Sequence, residues 1–365
     1  MHRKTLIALL TLAALLILAV SLTNLSKQLG GDVNQLLVPA LEAQLNDVAS
    51  VRVVGAGDQA IATLSRAESA WELAEKSGYR ADIGRIRSNL IALARARIIE
   101  QKTANPEYFE RLGVETIAGE SASGVLIELD GLAEPVSIII GDTGIGGDYA
   151  YVREAGENQS WLVNGAFDLP TETIDWVDRE MLDIPTARIR AVTITHPDGE
   201  VLRIEKATAA DPNFVVPEIP DGRELNYPSV ANAIAGVLTG LSLEDVQASP
   251  DLESAEAAPA TIMFETFDGL LIDVTAYSLN DGTWIQVATR LDERPTPIAS
   301  ADTDDAPDQT APEGSAIGDE VERLNARLGG WAYTVASYKT EQLLKRIDDL
   351  LAPANDELPL PEKSE

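Results

Sequence analysis

The most chemically suggestive residues are Asp142, Thr143 and Gly144, which follow the apolar stretch "SIII" at residues 137–140. An Asp-Thr-Gly loop behind a strand is typical of aspartic proteases, in which two carboxylates share a proton and polarise one water molecule. The sequence contains neither a second Asp-Thr-Gly nor an Asp-Ser-Gly. A protease would therefore have to be a symmetric dimer. We predict no catalytic residue, and keep a dimeric hydrolase that uses Asp142 as the alternative.

Gly141, Gly144, Gly146 and Gly147 surround the same motif and invite comparison with a phosphate-binding loop. Such a loop leads into a helix N-terminus and carries a lysine or a hydroxyl group for the phosphate. These glycines instead precede "DYAYVREA", whose alternation predicts a strand, and no lysine lies nearby. We interpret the segment as a turn and predict no cofactor site.

The chain has few residues that could bind a metal ion or support catalysis by histidine. The chain has no cysteine, and its two histidines are His2 and His196, of which His196 is expected to be a solvated turn residue. The acidic stretch that begins at Asp302 places Glu313 at the twelfth position of a calcium-binding EF-hand loop. Pro307 stands at the sixth position, where the sharp turn needs glycine. We predict a solvated linker there, and no metal site.

A basic cluster stands out in an otherwise acidic chain. We interpret it as a solvated helix face that is paired with the neighbouring acids Glu72, Glu75 and Glu100. A docking face for an acidic partner or for lipid headgroups is the alternative. The cluster consists of Arg80, Arg85, Arg87, Arg95 and Arg97.

Composition limits the classes of function that the chain can have. Its 365 residues are enough for two domains, and 45% of them are hydrophobic, which supports an ordinary core. The net charge of −31 repels nucleic acid, so we expect no nucleic-acid role. The absence of cysteine excludes disulfides, thiolate catalysis and cysteine-ligated zinc.

The N-terminal segment has the composition of a membrane anchor. Thr5 to Leu22 are eighteen residues without a charge, which span about 27 Å as a helix. Arg3 and Lys4 precede this span and favour a cytoplasmic N-terminus. We predict a signal-anchor at residues 1–24 and a helical juxtamembrane stalk at residues 25–46. A signal peptide that is cleaved near residues 19–21 is the alternative.

The rest of the chain shows the same order of elements twice, at residues 47–186 and 187–293. Each copy has two strands, a segment that begins with an aromatic residue, one helix (83–98 or 228–241) and three further strands. Short turns join most strands, so largely antiparallel sheets are expected. A short helix within 171–185 would join the copies. We expect all five tryptophans to be core residues: Trp71, Trp161, Trp176, Trp284 and Trp331.

The duplication pairs the Asp-Thr-Gly segment with Ser278 to Gly282, where Asn280-Asp281-Gly282 is a hairpin signal. We therefore predict that residues 141–148 are the longer of two equivalent hairpin turns. After the second copy we expect an acidic flexible linker at 294–318, a strand and a helix at 319–353, and a disordered tail at 354–365.

Four segments together resemble the DUF4340 family, whose members are bacterial, anchored in a membrane and often duplicated. The family has no assigned activity, so no catalytic residue is implied. Its members tend to lie beside ABC transporter components of the gliding-motility type, which implies a transporter-accessory or envelope role. The segments are "NPEYFERLGV" (105–114), "YAYVREAGENQSWLV" (149–163), "WVDREMLDIP" (176–185) and "LNARLGGWAYTVASYKTEQLLKRIDDLL" (324–351).

The sequence as a whole predicts an α+β protein with an N-terminal transmembrane helix and two similar units. We expect a non-enzymatic binding or scaffold module on the periplasmic side of a bacterial inner membrane, with ABC transporter subunits or other envelope proteins as partners. The alternatives are the dimeric hydrolase and a protein that binds a small envelope ligand or glycan between the two units.

Overall fold

A computed structural model describes residues 33–68, 70–249, 258–279, 282–292 and 314–353. The chain divides into two compact units, residues 1–178 and 179–365. The strands form two sheets in which every pairing is antiparallel, accompanied by a few helices. The predicted α+β class and the antiparallel sheets are therefore confirmed.

The first unit combines a nine-stranded sheet with one long helix. Its strand order is β4-β3-β2-β1-β6-β7-β8-β9-β5. The elements are α1 (Leu41–Gln44), β1 (Ser50–Gly55), β2 (Gln59–Arg66), β3 (Trp71–Leu73), β4 (Tyr79–Arg80), α2 (Ile83–Arg95), β5 (Ile98–Gln101), β6 (Val125–Asp130), β7 (Val136–Thr143), β8 (Tyr149–Glu154) and β9 (Ser160–Asn164).

The second unit combines an eight-stranded sheet with shorter helices. Its strand order is β10-β13-β17-β16-β15-β14-β11-β12. The elements are β10 (Glu180–Leu182), β11 (Ile189–Thr195), β12 (Val201–Glu205), α3 (Asn232–Ala235), β13 (Leu241–Ala248), β14 (Ala260–Thr266), β15 (Leu270–Leu279), β16 (Gly282–Leu291), α4 (Gly314–Leu328), β17 (Trp331–Val335), α5 (Ser337–Leu343) and α6 (Ile347–Leu350).

Seven strands of each sheet follow one common order. The run β2-β1-β6-β7-β8-β9-β5 in the first unit corresponds to β12-β11-β14-β15-β16-β17-β13 in the second. Outside this run, β3 pairs with β2, and Val215 forms a bridge with Glu205 of β12 in the equivalent place. The two units therefore share a topology, and the β7–β8 and β15–β16 hairpins occupy the same position in it.

Helix α2 supplies one side of the first unit's core. Its predicted start at Ile83 is fixed by Asp82, whose carboxylate accepts a hydrogen bond from the Arg85 amide at 3.0 Å. The residues at three- and four-residue spacing, Ile86, Leu90 and Leu93, are buried and face strands β1 and β6. The helix ends at residue 95, because residues 98–101 pair with β9 instead.

Before the first sheet, the stalk predicted at 25–46 is helical only at Leu41–Gln44 in its described part. Its backbone is bound to the segment after α2, since the amide of Asn34 donates to the Ile98 carbonyl at 2.7 Å and that of Leu37 to the Ala96 carbonyl at 2.8 Å. No helix in the described ranges is both long and apolar enough to cross a membrane. The anchor predicted at residues 5–22 lies outside those ranges.

Two predicted helices, at 171–185 and 228–241, are shorter than expected. In 171–185 only a short 3-10 helix forms (Thr173–Trp176), and β10 follows because its Met181 and Leu182 are buried along β13. In 228–241 the α-helix is limited to residues 232–235, and the chain enters β13 at Leu241. This strand is hidden in the sequence, because a bulge breaks its alternation between residues 243 and 245.

The C-terminal region also differs from the prediction. Helix α4 begins at residue 314, inside the segment that was expected to be a linker. The predicted strand at 331–335 is present, but it lies inside the second sheet between β16 and β13. The helix predicted after it is divided into α5 and α6. The second unit is therefore completed by residues that follow the acidic stretch.

Candidate functional site

The hairpin of β7 and β8 carries the Asp-Thr-Gly motif. Asp142 is exposed near the end of β7, and no described side chain pairs with it. The ladder between the two strands shifts its register between Ile140 and Thr143, so the motif forms a bulge. The structure therefore places Asp142 on an exposed and irregular strand end.

Gly141 has a structural role in this bulge. A side-chain carbon added at Gly141 would overlap the carbonyl oxygen of Leu112 and lie 2.7 Å from the carbonyl carbon of Gly113. One added at Gly124, just before β6, would overlap the carbonyl oxygen of Gly113. Two glycines therefore let the loop at 112–113 rest directly on the sheet backbone.

The remaining glycines of the hairpin serve the turn itself. Gly144 donates a hydrogen bond to the Tyr149 carbonyl at 2.8 Å, and a side-chain carbon there would lie 2.9 Å from that of Tyr149. Gly146 and Gly147 have φ angles of +96° and +85°, which favour glycine, and open space surrounds both. The glycines that invited comparison with a phosphate loop thus satisfy packing and backbone geometry.

A small cavity of about 260 Å³ lies beside the hairpin. Thr143, Gly147 and Tyr149 line it from the hairpin, and Phe167 lines it from the segment after β9. Asp142 is not among the lining residues. The carboxylate of the motif therefore does not line this cavity, although Gly141 and Thr143 on either side of it do, which is unfavourable for a catalytic role.

Arg153 is the most buried charged residue of the first unit, with 4% of its surface exposed. Its Nε donates to the Val114 carbonyl at 2.7 Å, and one terminal nitrogen donates to the Glu157 carbonyl at 2.7 Å. The guanidinium lies 4.6 Å from the ring centre of Phe109. Burial lowers the pKa of Arg153, and the nearby charge of Glu115 acts in the opposite direction. Arg153 thus joins two of the segments that carry the family resemblance.

The basic cluster is paired, but not with the predicted acids. Arg80 bonds to Asp178 at 2.9 Å, and Arg85 forms a short ion pair with Asp168. The remaining contacts join Arg95 to Glu42 at 3.6 Å and Arg97 to the Asn34 carbonyl at 2.8 Å. The sequence analysis paired these arginines with acids close to them in the chain, whereas in the fold their partners come from more distant segments. Only Arg87, which is exposed on α2, lacks a partner within the described ranges.

His196 is buried, which corrects the expectation of a solvated turn residue. Only 6% of its surface is exposed, and its Nε2 lies 3.2 Å from the Lys345 carbonyl oxygen. The same turn holds α6 through ion pairs of Arg346 with Asp198, at 2.8 Å, and with Glu200. The β11–β12 turn therefore holds the C-terminal segment in place.

Lys339 is a second buried cation, and sequence reasoning missed it. Its Nζ donates to the carbonyls of Val237 and Thr239 at 2.7 and 2.8 Å, and desolvation lowers its pKa. These carbonyls belong to the turn that follows α3. No local signal marks Lys339 or Arg153 in the sequence, because their partners are backbone groups far along the chain.

The five tryptophans divide into two groups. Trp71 and Trp176 are 6% and 1% exposed, which confirms the predicted core positions, and the Trp176 indole donates to the Pro170 carbonyl at 3.0 Å. Trp161, Trp284 and Trp331 are only partly buried. The acidic stretch at 302–313 lies outside the described residues, and within them no cluster of acids and histidines could hold a metal ion.

A larger cleft of about 430 Å³ lies along one side of α2, and we call it the α2 cleft. Its walls are mostly apolar, and two arginines border it. Among the residues that line it are Leu45, Arg66, Trp71, Ile83, Arg87 and Ile91.

Comparison with known proteins gives one match, to the family DUF4340, described as a domain of unknown function, over residues 71–260. No curated protein and no solved structure matches the chain. The matched range covers just over half of the chain and extends from β3 of the first unit to the start of β14 in the second. The chain belongs to the DUF4340 family.

Proposed function

We propose that the chain is a membrane-anchored extracytoplasmic module that binds or scaffolds other molecules and performs no chemistry itself. The observation that carries this proposal is the arrangement at the Asp-Thr-Gly hairpin. Asp142 is exposed on a bulge and does not line the adjacent cavity, while the surrounding glycines have packing and turn roles.

The other side chains that could act as acids, bases or charged catalysts support the same proposal. Arg153 and Lys339 donate hydrogen bonds to backbone carbonyls, and a ring nitrogen of His196 contacts a backbone carbonyl as well. A general acid or base must reach a substrate proton directly or through one water molecule. Side chains that hold loops in this way are better suited to stabilising a binding surface.

The proposed location rests on the first 22 residues. The uncharged span from Thr5 to Leu22 has the length of a single membrane helix, and Arg3 and Lys4 favour the cytoplasm for the N-terminus. We propose one membrane pass in a bacterial inner membrane, with both units in the periplasm. Subunits of an ABC-type transporter are the proposed partners, on the family resemblance described above.

Affinity purification from crosslinked membranes tests the partner. The tagged full chain should recover transporter subunits with crosslinks to its folded units. A version in which another single-pass helix replaces residues 1–24 keeps the units and serves as the matched control. Recovery of the same proteins by both versions would support recognition by the units, whereas recovery of no envelope protein would contradict the proposed scaffold.

The hydrolase alternative has its own test. Asp142→Asn keeps the size of the side chain and removes the carboxylate. The proposal predicts that cells with this variant match the wild type in any phenotype that deletion of the chain causes. Loss of function with unchanged thermal unfolding would favour a catalytic role for Asp142.

A further inference from the structure

The α2 cleft combines an apolar wall with an exposed apolar rim. Ile86 and Leu90 form its floor and are buried, whereas Ile83 at the rim is 50% exposed and Ile91 is partly exposed. Trp71 also lines the cleft, from the start of β3. Concave apolar surfaces of a few hundred Å³ are typical of sites for small or partly inserted ligands.

The charges at the cleft are opposite in sign to those of the chain as a whole. Arg66 and Arg87 border the cleft, and Glu68 is the one acid among its described lining residues. The Arg66 guanidinium is held in place, since it donates to the Asn46 carbonyl at 2.6 Å and lies 5.3 Å from the ring centre of Trp71. Arg87 is exposed without a partner in the described structure, so its donors are available to an anion.

The net charge of −31 does not cancel this local excess. Charges more than about 8 Å apart at the surface are largely screened at physiological ionic strength. A phosphate at the cleft would therefore interact mainly with Arg66 and Arg87. Guanidinium groups suit phosphate because they offer paired donors in a fixed plane.

The position of the cleft along the chain identifies the source of such an anion. Ten residues separate Leu22 from Val33, where the described structure begins, and they span at most about 40 Å. The chain then bonds beside the C-terminal end of α2, where Arg97 donates to the Asn34 carbonyl at 2.8 Å. The 13 residues of α2 extend for about 20 Å from that point, and the cleft lies along them.

We propose that the α2 cleft binds an anionic phospholipid of the membrane that holds the N-terminus. Its phosphate would lie at Arg66 and Arg87, and the first part of its acyl chain would lie against Ile83, Leu90 and Ile91. This inference rests on the proposed function, because a membrane anchor is what brings the cleft to the lipid surface. It deepens that proposal by giving the first unit a defined ligand.

The test uses the full chain, purified in a neutral detergent. Native mass spectrometry counts lipid that is retained during titration with phosphatidylglycerol and, separately, with phosphatidylcholine. We expect one molecule of phosphatidylglycerol, bound about tenfold more tightly than phosphatidylcholine, because the choline ammonium of phosphatidylcholine offsets the charge of its own phosphate and adds a cation beside the two arginines. Arg87→Gln should lose about tenfold in phosphatidylglycerol affinity, and Ile83→Ser should weaken both lipids.

Arg111→Gln is the matched control, because Arg111 is exposed in the same unit and does not line the cleft. It should leave lipid affinity unchanged. Crosslinks from a photoreactive phosphatidylglycerol should map to residues 45–46, 66–71 or 83–91. Equal affinity for the two lipids, an equal loss in the control, or crosslinks elsewhere would overturn the lipid site. Binding of an acidic peptide but neither lipid would overturn it in favour of a protein partner.

The anchor is measured separately, by alkaline carbonate extraction of cell membranes. A chain that stays in the membrane pellet but shows no lipid preference in detergent would overturn the lipid site alone. A chain that is extracted would contradict the anchor, whatever the outcome of the titration, and with it the source of lipid on which the site depends.

Discussion

At the residue scale, two buried cations hold loops through backbone carbonyls. Arg153 joins the loop that ends at Val114 to the turn at Glu157, and Lys339 joins α5 to the turn after α3. Removing a partner from a buried donor or acceptor costs more than the net value of the bond, since the other group is left without hydration. Each cation should therefore matter more than a surface ion pair.

Arg153→Met should destabilise the first unit by about 2–4 kcal/mol, because the carbonyl of Val114 loses its charged donor in a buried bond and that of Glu157 loses one in a part-buried bond. Arg52→Met is the matched control, since the Arg52–Glu128 pair is about one-third to one-half exposed and should contribute about 1 kcal/mol or less. Urea unfolding followed by circular dichroism measures both changes. Equal effects would show that Arg153 has no special structural role.

Lys339→Met should destabilise the second unit by about 1–3 kcal/mol for the same reason. The cost has a pH dependence whose sign follows from the lowered pKa of Lys339. A lowered pKa in the folded state means that the unfolded chain binds the proton more strongly. Wild-type stability therefore gains from this residue as the pH rises from the lowered pKa towards the usual value of about 10.5.

The stability difference between wild type and Lys339→Met should accordingly grow over that range of pH. Urea unfolding of both proteins at several pH values measures this difference. A difference that shrinks towards higher pH would mean that the carbonyls favour the ammonium form more strongly than burial opposes it.

At the element scale, glycine is needed in the β7–β8 hairpin for two different reasons, close backbone packing at Gly141 and a positive φ angle at Gly146. Gly141→Ala should destabilise by about 2 kcal/mol or more, because the added carbon would overlap the Leu112 carbonyl and the backbone must move. Gly146→Ala adds no contact and should cost about 1 kcal/mol, for its positive φ alone. Thermal unfolding of both variants checks this order, and the reverse order would contradict the packing role of Gly141.

The place of β17 in the second sheet gives another prediction at this scale. Truncation after residue 313 removes β17, so β16 and β13 lose the strand that pairs with both. Two unpaired edges in a sheet promote misfolding and aggregation. We expect insoluble protein, whereas truncation after residue 353 should give soluble, folded protein. Soluble expression of the shorter chain with native circular dichroism would contradict this account.

Elements with local signals could be predicted from the sequence. The spacing of Ile86, Leu90 and Leu93 gave α2, and alternating residues gave most strands of both sheets. Helix α4 also carries such a signal in Ile317, Val321 and Leu324. The acidic composition of the preceding residues concealed this signal. Non-local features were out of reach, because the bulge in β13, the position of β17 and the carbonyl partners of Lys339 depend on chain segments that are distant in sequence.

The candidate site was predictable in the same limited sense. The absence of a second Asp-Thr-Gly and the parallel with the β15–β16 hairpin are visible in the sequence, and both indicate a turn at Asp142. The reason for Gly141 required the contact with Leu112, which no local pattern encodes. The α2 cleft was indicated only by the basic cluster, in which four of five arginines proved to have structural partners.

At the scale of the whole molecule, the proposed anchor would hold an acidic two-unit fold at a membrane. The excess of acids over bases disfavours nucleic acid as a partner, while the local charge at the α2 cleft suits an anionic lipid. The two units share a topology, and the α2 cleft lies in the first of them. The proposed lipid-binding role therefore belongs to the first unit.

The central claim is that residues 5–22 hold both units outside the cytoplasm. Protease treatment of spheroplasts, with intact cells and lysed spheroplasts as controls, tests it most directly when the chain carries a C-terminal tag. We predict that the tag is removed in spheroplasts, is protected in intact cells, and stays with the membrane pellet after carbonate extraction of untreated cells. Protection of the tag in spheroplasts, with digestion only after lysis, would contradict the account.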